Sequence, residues 1–206
     1  PWISGDGSAA HGRVYGAVDE YFFYENETLT FLPGATTYRA GGLSHDGAVI
    51  ALTDSNRAAL RTGGFGGPLQ DLDASPGAGV DSVAADVSGD GNVVAGSIDT
   101  AAGTAELFRW TTTGGLDRLG QFGGSDRDTH AFAISADGST IVGSASSPGS
   151  FFEGQSFRWR EGAFAALDAL PGDDTSFAFD VSADGARIVG ASGEGRYGND
   201  GRAVLW

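Results

Sequence analysis

Cysteine and methionine are both absent from the 206-residue chain. The first absence removes disulfides and thiolate metal sites and leaves the redox compartment open. The chain begins Pro1-Trp2-Ile3 inside what reads as a strand, the expectation for a processed piece that has lost a leader. Positive charge is scarce: 12 Lys plus Arg stand against 27 Asp plus Glu, a formal charge of −15. That field repels phosphate backbones and anionic headgroups, which argues against nucleic acid and membrane surfaces as partners. No apolar run approaches the ~20 residues of a membrane span, so direct membrane insertion is not expected. The only histidines, His11, His45 and His130, stand in or beside three different hairpins, which argues against convergence on one metal.

What the chain does have is glycine and apolar residues. Its 35 Gly exceed the usual share of roughly 7%, and 40% of residues are hydrophobic, which suits short strands joined by tight turns around a buried core. The segment HAFAISADGSTIVGS, residues 130–144, reads as a β-hairpin: Ala131, Ala133 and Ser135 alternate with Phe132 and Ile134, and Asp137-Gly138 turns the chain. The same hairpin occurs five times. An Asp-Gly pair lies at Asp6, Asp46, Asp90, Asp137 and Asp184, each two residues after a Ser, at separations of 40, 44, 47 and 47 residues. Such a period signals a propeller or another repeat array.

The third and fourth repeats hold four strand candidates each: 83–88, 92–97, 105–110 and 115–119, then 130–135, 139–144, 155–160 and 163–167. The first two repeats are degenerate versions, with strands at 10–18, 20–24 and 28–32, then at 37–44, 48–53, 57–61 and 68–72. The fifth has 177–182, 186–192 and 202–206. The expected architecture is therefore all-β: a five-bladed β-propeller of four-stranded antiparallel blades, its last blade lacking the outer strand. Repeat boundaries fall at about 1–35, 36–80, 81–128, 129–175 and 176–206 in one domain.

The run FRWTTTGGLDRLGQFGGSDRDTHAFAISADGSTIVGSA, residues 108–145, resembles the HAF repeat of extracellular bacterial repeat proteins. It has the FxW strand, a Gly turn, a Leu-Gly strand end, a Gly-rich linker and a hairpin ending in VGS. FRW recurs at Phe157 to Trp159, and VLW at Val204 to Trp206 takes the same slot, whereas Phe22 to Tyr24 and Ala58 to Leu60 depart from it. The resemblance implies export or surface display, and the family supplies no catalytic residues to carry over.

The Ser-x-Asp-Gly pattern supports a turn first, since Gly tolerates positive φ there. Asp86 to Asn92 also spaces oxygens at alternate positions, so calcium at Asp86 and Asp90 is the one cofactor left open, although no downstream bidentate Glu follows. Phe108, Trp110, Phe157 and Trp159 are expected to pack between blades, with sugar stacking as the alternative. Departures from the repeat mark the candidate binding surface. Expanded loops between second and third strands carry Phe151, Phe152 and Glu153 in one case and Arg196, Tyr197, Asn199 and Asp200 in the other, aromatic surface beside polar groups that suits a protein or a glycan. Arg202, Val204 and Trp206, on the edge of the unfinished blade, offer a route to a homo-oligomer or filament. Channel acids would signal a glycosidase, but Asp19, Glu20, Asp99, Asp173 and Asp174 form no isolated motif. Asp86 and Asp180 share one repeat slot, which points to acceptors of backbone N–H groups.

The functional expectation is a secreted or cell-surface, non-catalytic binding or structural module for adhesion or assembly. The first alternative is a lectin-like propeller, which would show near-identical pockets between blades. The second is a glycoside-active enzyme, which would show a cluster of channel acids with one raised pKa.

Overall fold

The computed structural model describes residues 2–14, 20–32, 39–72, 80–146, 154–193 and 201–206. Every regular element is a strand, and the strands form five antiparallel meanders in chain order. The first sheet holds β1 (Trp2–Ile3), β2 (Ala9–Val14), β3 (Glu20–Glu25) and β4 (Thr28–Leu32). The second holds β5 (Arg39–Leu43), β6 (Val49–Asp54), β7 (Arg57–Thr62) and β8 (Leu69–Asp71). The third holds β9 (Ser82–Val87), β10 (Val93–Asp99), β11 (Ala105–Thr111) and β12 (Gly115–Gly120). The fourth holds β13 (Asp128–Ile134), β14 (Thr140–Ser146), β15 (Gly154–Arg160) and β16 (Ala163–Leu167). The fifth has three strands, β17 (Thr175–Val181), β18 (Ile188–Gly193) and β19 (Arg202–Leu205).

Each sheet begins with the same hydrogen-bonded turn. In the fourth, the Ser135 hydroxyl donates to Asp137 Oδ1, which also accepts the Ser139 N–H at 2.9 Å, while Thr140 N–H donates back to Ser135 Oγ at 3.0 Å. The set recurs at Ser4/Asp6, Ser44/Asp46, Ser88/Asp90 and Ser182/Asp184. The following Gly takes φ between 69° and 75° in all five, a conformation that penalises any Cβ.

The strict alternation expected along 131–135 fails. A β-bulge between Ala131 and Ala133 sets Phe132 out of register, so that Ala133 and Ile134 are both buried while Phe132 is exposed. Bulges recur at the matching places of β5, β9 and β17. The bulge also explains the Gly in VVAGS, TIVGS and RIVGA. A Cβ at Gly96, Gly143 or Gly190 would overlap the carbonyl oxygen of Val83, His130 or Phe177.

The core is a series of sheet-to-sheet interfaces. Ala51, Leu60 and Leu72 pack on Val94, Phe108 and Trp110. Val93, Ala95 and Leu107 pack on Ile141 and Phe157, and Val142 and Leu167 on Val181 and Ile188. Phe23 of the first sheet packs on Ile50 and Leu52 of the second. The FxW aromatics thus lie between sheets, as the sequence suggests: Phe108 and Phe157 are fully buried, and Trp159 packs at the margin.

Two polar devices join the same neighbours. One bulge-site amide in each of β5, β9, β13 and β17 donates to a hydroxyl of the preceding sheet: Ala40 to Tyr21, Ala84 to Thr53, Ala131 to Ser97 and Ala178 to Ser156, at 2.7–3.2 Å. The turns themselves are linked in series, by Asp6 N–H to His45 O, His45 N–H to Gly89 O, Gly89 N–H to Ala136 O and Asp137 N–H to Ala183 O. Because Phe157 fills the seam between third and fourth sheets, Phe157→Ala is expected to cost about 3–5 kcal/mol. Urea unfolding of the two proteins measures the difference.

Candidate functional site

The series of turns brings one end of every inner hairpin to a common opening of about 310 Å³, lined from the five sheets in turn by Ile3, Leu43, Asp86, Ile134 and Val181. Asp86 is the carboxylate of this lining. Its Oδ1 accepts the Val87 N–H at 2.8 Å and its Oδ2 accepts the Ile134 N–H of the next sheet at 3.0 Å. A Cβ at Gly42 of the preceding sheet would collide with the same carboxylate, so Asp86 touches three sheets at once. Burial pushes its pKa up to about 7, against the pull of the two amides, and the charge of Asp180 adds to the rise. Asp180 holds the equivalent slot and accepts the Val181 N–H at 2.7 Å. Both acids accept backbone N–H groups, the role their shared slot suggests. The raised pKa at Asp86 is nonetheless one of the two features by which an acid-catalysing channel would be recognised.

Asp90, paired with Asp86 as a calcium candidate, lies in the turn instead. Its oxygens accept the Ser88 hydroxyl, the Asn92 N–H and the Asn92 side-chain amide, and these donors hold its pKa below the ordinary value, the Ser88 hydroxyl most strongly. No group of three or more His, Asp or Glu side chains able to hold a metal ion occurs among the described residues. His11 is buried between the rings of Trp2 and Phe23, its Nε2 lies 2.8 Å from Gly41 O, and burial lowers its pKa to about 4.

On the opposite rim from the turns, a cleft of about 460 Å³ opens between the fourth and fifth sheets. Arg127 before β13, Gly154 and Gln155 at the start of β15, Ala169, and Asp174 to Ser176 at the start of β17 line it. Gly154 directly follows residues 147–153, and Gly193, whose carbonyl accepts the Asp174 N–H and the Thr175 hydroxyl, directly precedes residues 194–200. Phe151, Phe152, Glu153, Arg196, Tyr197, Asn199, Asp200 and Asp19 lie outside the described residues. A cleft of about 220 Å³ between the first and second sheets is lined by Ser8, Glu25, Asn26 and Asp46 on the turn side, so the two clefts are neither equivalent in place nor alike in lining. Arg202 and Val204 stand on β19, with Trp206 just beyond it. Arg202 pairs with Asp173 at 2.7 Å, and the Trp206 indole donates to Asp168 O at 2.9 Å. Arg127 and Gln155 escape sequence reasoning because neither belongs to a repeated motif or to an expanded loop.

No family model matches the chain, and no curated protein does. Among solved structures it is similar to a TolB from Acinetobacter baumannii, at 18% identity and a TM-score of 0.62, over all of this chain and 53% of that one. A puromycin-hydrolyzing peptidase of Mycobacterium tuberculosis gives 12% identity and a TM-score of 0.64, over 98% of this chain and 34% of that one. The β-propeller domain of the Trilobed protease from Pyrococcus furiosus, described as having an open velcro topology, gives 14% and 0.56, over 100% and 66%. The chain folds as a β-propeller. Its five sheets are the blades, with β5, β9, β13 and β17 innermost. It spans about half the length of the TolB and a third of the peptidase, and at these identities the likeness carries the fold alone.

Asp86 gives the propeller a pH dependence of definite sign. A carboxyl whose folded pKa lies above its unfolded value near ~3.9 stabilises the fold below the unfolded value, and that contribution is lost as pH rises through the folded pKa. The contribution of Asp86 to the unfolding free energy is expected to decline between pH ~4 and about 7, while His11, buried with its pKa lowered to about 4, contributes in the opposite sense over much of the same range. Asp86→Ala installs the side chain that Ala133 already places in this slot, so in urea titrations the wild-type unfolding free energy minus that of the variant should fall between pH ~4 and about 7, the His11 contribution cancelling in the difference.

Proposed function

We propose that the chain is a non-catalytic binding and structural module, secreted or displayed at a bacterial cell surface, that takes a glycan or a protein segment in the cleft between the fourth and fifth blades. The observation that carries this reading is the convergence there of a polar cleft of about 460 Å³ with the attachment points of both segments that depart from the repeat, 147–153 and 194–200. Gln155, Arg127 and Asp174 bring both hydrogen-bond donors and acceptors to it, the mixture that hydroxyl-rich or peptide ligands require. Export agrees with the acidic, cysteine-free composition and with the HAF-like repeats. The lectin form of the reading is narrowed to a single cleft, because the first and second blades present different residues on the other rim.

A glycan panel followed by titration calorimetry tests the site. Loss of one or two hydrogen bonds predicts a ~10-fold or greater weakening in Gln155→Ala and Arg127→Ala. A glycan bound with equal affinity by both variants would remove the cleft from the function.

One observation favours a second reading, a glycoside-active enzyme with its acid in the channel. Asp86 is poised at about 7, in the range where a general acid works near neutrality. Against it stand the amides that occupy both oxygens. Nitrophenol release from aryl glycosides that disappears in Asp86→Ala would establish it, and no release from wild type would end it.

A further inference from the structure

The cleft between the fourth and fifth blades holds one cation and one carboxamide that the fold itself does not use, and we propose that its ligand is an acidic glycan, a mostly neutral oligosaccharide whose single carboxylate is held by Arg127. This rests on the cleft being the binding site and goes further by fixing the charge of what enters it.

The hydroxyls of the cleft already have partners. Thr175 donates to Gly193 O at 2.8 Å, and Ser176 donates to Leu167 O at 2.7 Å while accepting the Ser156 N–H at 3.0 Å. Asp174, the acid of the lining, is engaged as well. Two side chains remain. Neither the Arg127 guanidinium nor the Gln155 carboxamide makes a hydrogen bond or an ion pair among the described residues. Arg202, on the same rim, shows the contrast, since it pairs with Asp173 at 2.7 Å.

The backbone fixes where Arg127 stands. Its N–H donates to Gly124 O at 3.3 Å, and its carbonyl accepts the Gln121 side-chain amide at 2.6 Å, which is itself tied to Thr104 Oγ1 at 3.0 Å. A Cβ on Gly123, at φ 85°, would lie 2.9 Å from Arg127 Cδ, so the aliphatic stem rests against that glycine. Neither adjacent acid pairs with the guanidinium. Asp128 Oδ1 accepts the Ala105 N–H at 3.0 Å, and Asp126 Oδ1 lies against Gly124. Charge then selects the ligand. Arg127 is half-buried before anything enters, so an uncharged ligand would cover the guanidinium and leave a desolvated charge without a counterion, whereas a carboxylate accepts paired N–H bonds from it. Gln155 supplies one donor group and one acceptor, the complement of sugar hydroxyls. Ala169 is the largest apolar side chain in the described lining, which leaves no pocket for the side chains of a peptide and favours a sugar acid over a peptide C-terminus. A chain of net charge −15 repels a polyanion, so the acid stands alone in a neutral oligosaccharide rather than repeating along it.

A panel of oligosaccharides that each carry one uronate or sialic residue, measured by calorimetry beside the same compounds with the carboxyl reduced to an alcohol, tests the proposal. Wild type is expected to bind the acid about 10- to 100-fold more tightly than its reduced form. Arg127→Gln should lose that preference, bind the reduced form as wild type does, and keep the wild-type melting temperature, because the guanidinium makes no internal bond. Neutral and acidic forms bound equally by wild type, with binding lost in Gln155→Ala, would keep the cleft as the site and overturn its charge. A preference for the acid that survives Arg127→Gln overturns the role of Arg127, and if Gln155→Ala leaves it unchanged too, the cleft itself falls as the site. Binding of no acidic member overturns the proposal, as does capture of a peptide whose affinity drops when its C-terminus is amidated.

Discussion

One carboxylate oxygen, shared between a serine hydroxyl and a backbone amide, closes each inner hairpin, and the rest of the molecule follows from that turn. The Ser-x-Asp-Gly geometry fixes a tight reversal with the glycine at positive φ, and this sets where the innermost strand ends and the second begins. Ionisation of the acid strengthens the set, since all five aspartates have pKa values below the ordinary one, Asp6 down to about 2 through the Ser8 hydroxyl and amide and the Ser4 hydroxyl. Backbone bonds from one turn to the next then set the spacing between blades. Side-chain packing fills the seams this spacing leaves, with Phe108 and Phe157 lying over Gly96 and Gly143 because a Cβ there would overlap both the phenyl ring and a carbonyl.

Much of this is legible in the sequence because a repeat shows the same physical demand several times over. The five Asp-Gly pairs and the FxW strands are such demands, and the strands appear where the pattern puts them. What alternation along 131–135 misses is the bulge at Phe132, since apolar residues stand on both sides of it and period-two reading has nothing to contradict it. The hydroxyls that accept the bulge-site amides are hidden for a different reason. Thr53 and Ser97 share one slot of the second strand and Tyr21 and Ser156 one slot of the third, so the same place in space is filled from two different places in the repeat and no single repeated residue announces it.

The candidate binding surface was legible only as a departure from the repeat. Gly154 and Gly193, which flank the expanded segments, lie on one rim beside the cleft between the fourth and fifth blades, but Arg127 and Gln155 reach it from a linker and from a strand start. Such residues carry no pattern, because a site used once imposes its chemistry once.

The same reasoning separates Asp86 from the other acids. Its slot is Gly42, Ala133 or Asp180 in other blades, so the fold does not require a carboxylate there. Two amides welcome the charge, yet burial outweighs them and raises the pKa to about 7, so the contribution of Asp86 to the folded state falls as pH rises toward neutrality. Exposed ion pairs contribute little to stability. Arg57 with Asp71 and Arg118 with Glu106 join outer strands in contact with water, and such pairs contribute at most about 1 kcal/mol each. The packing between blades therefore supplies the stability.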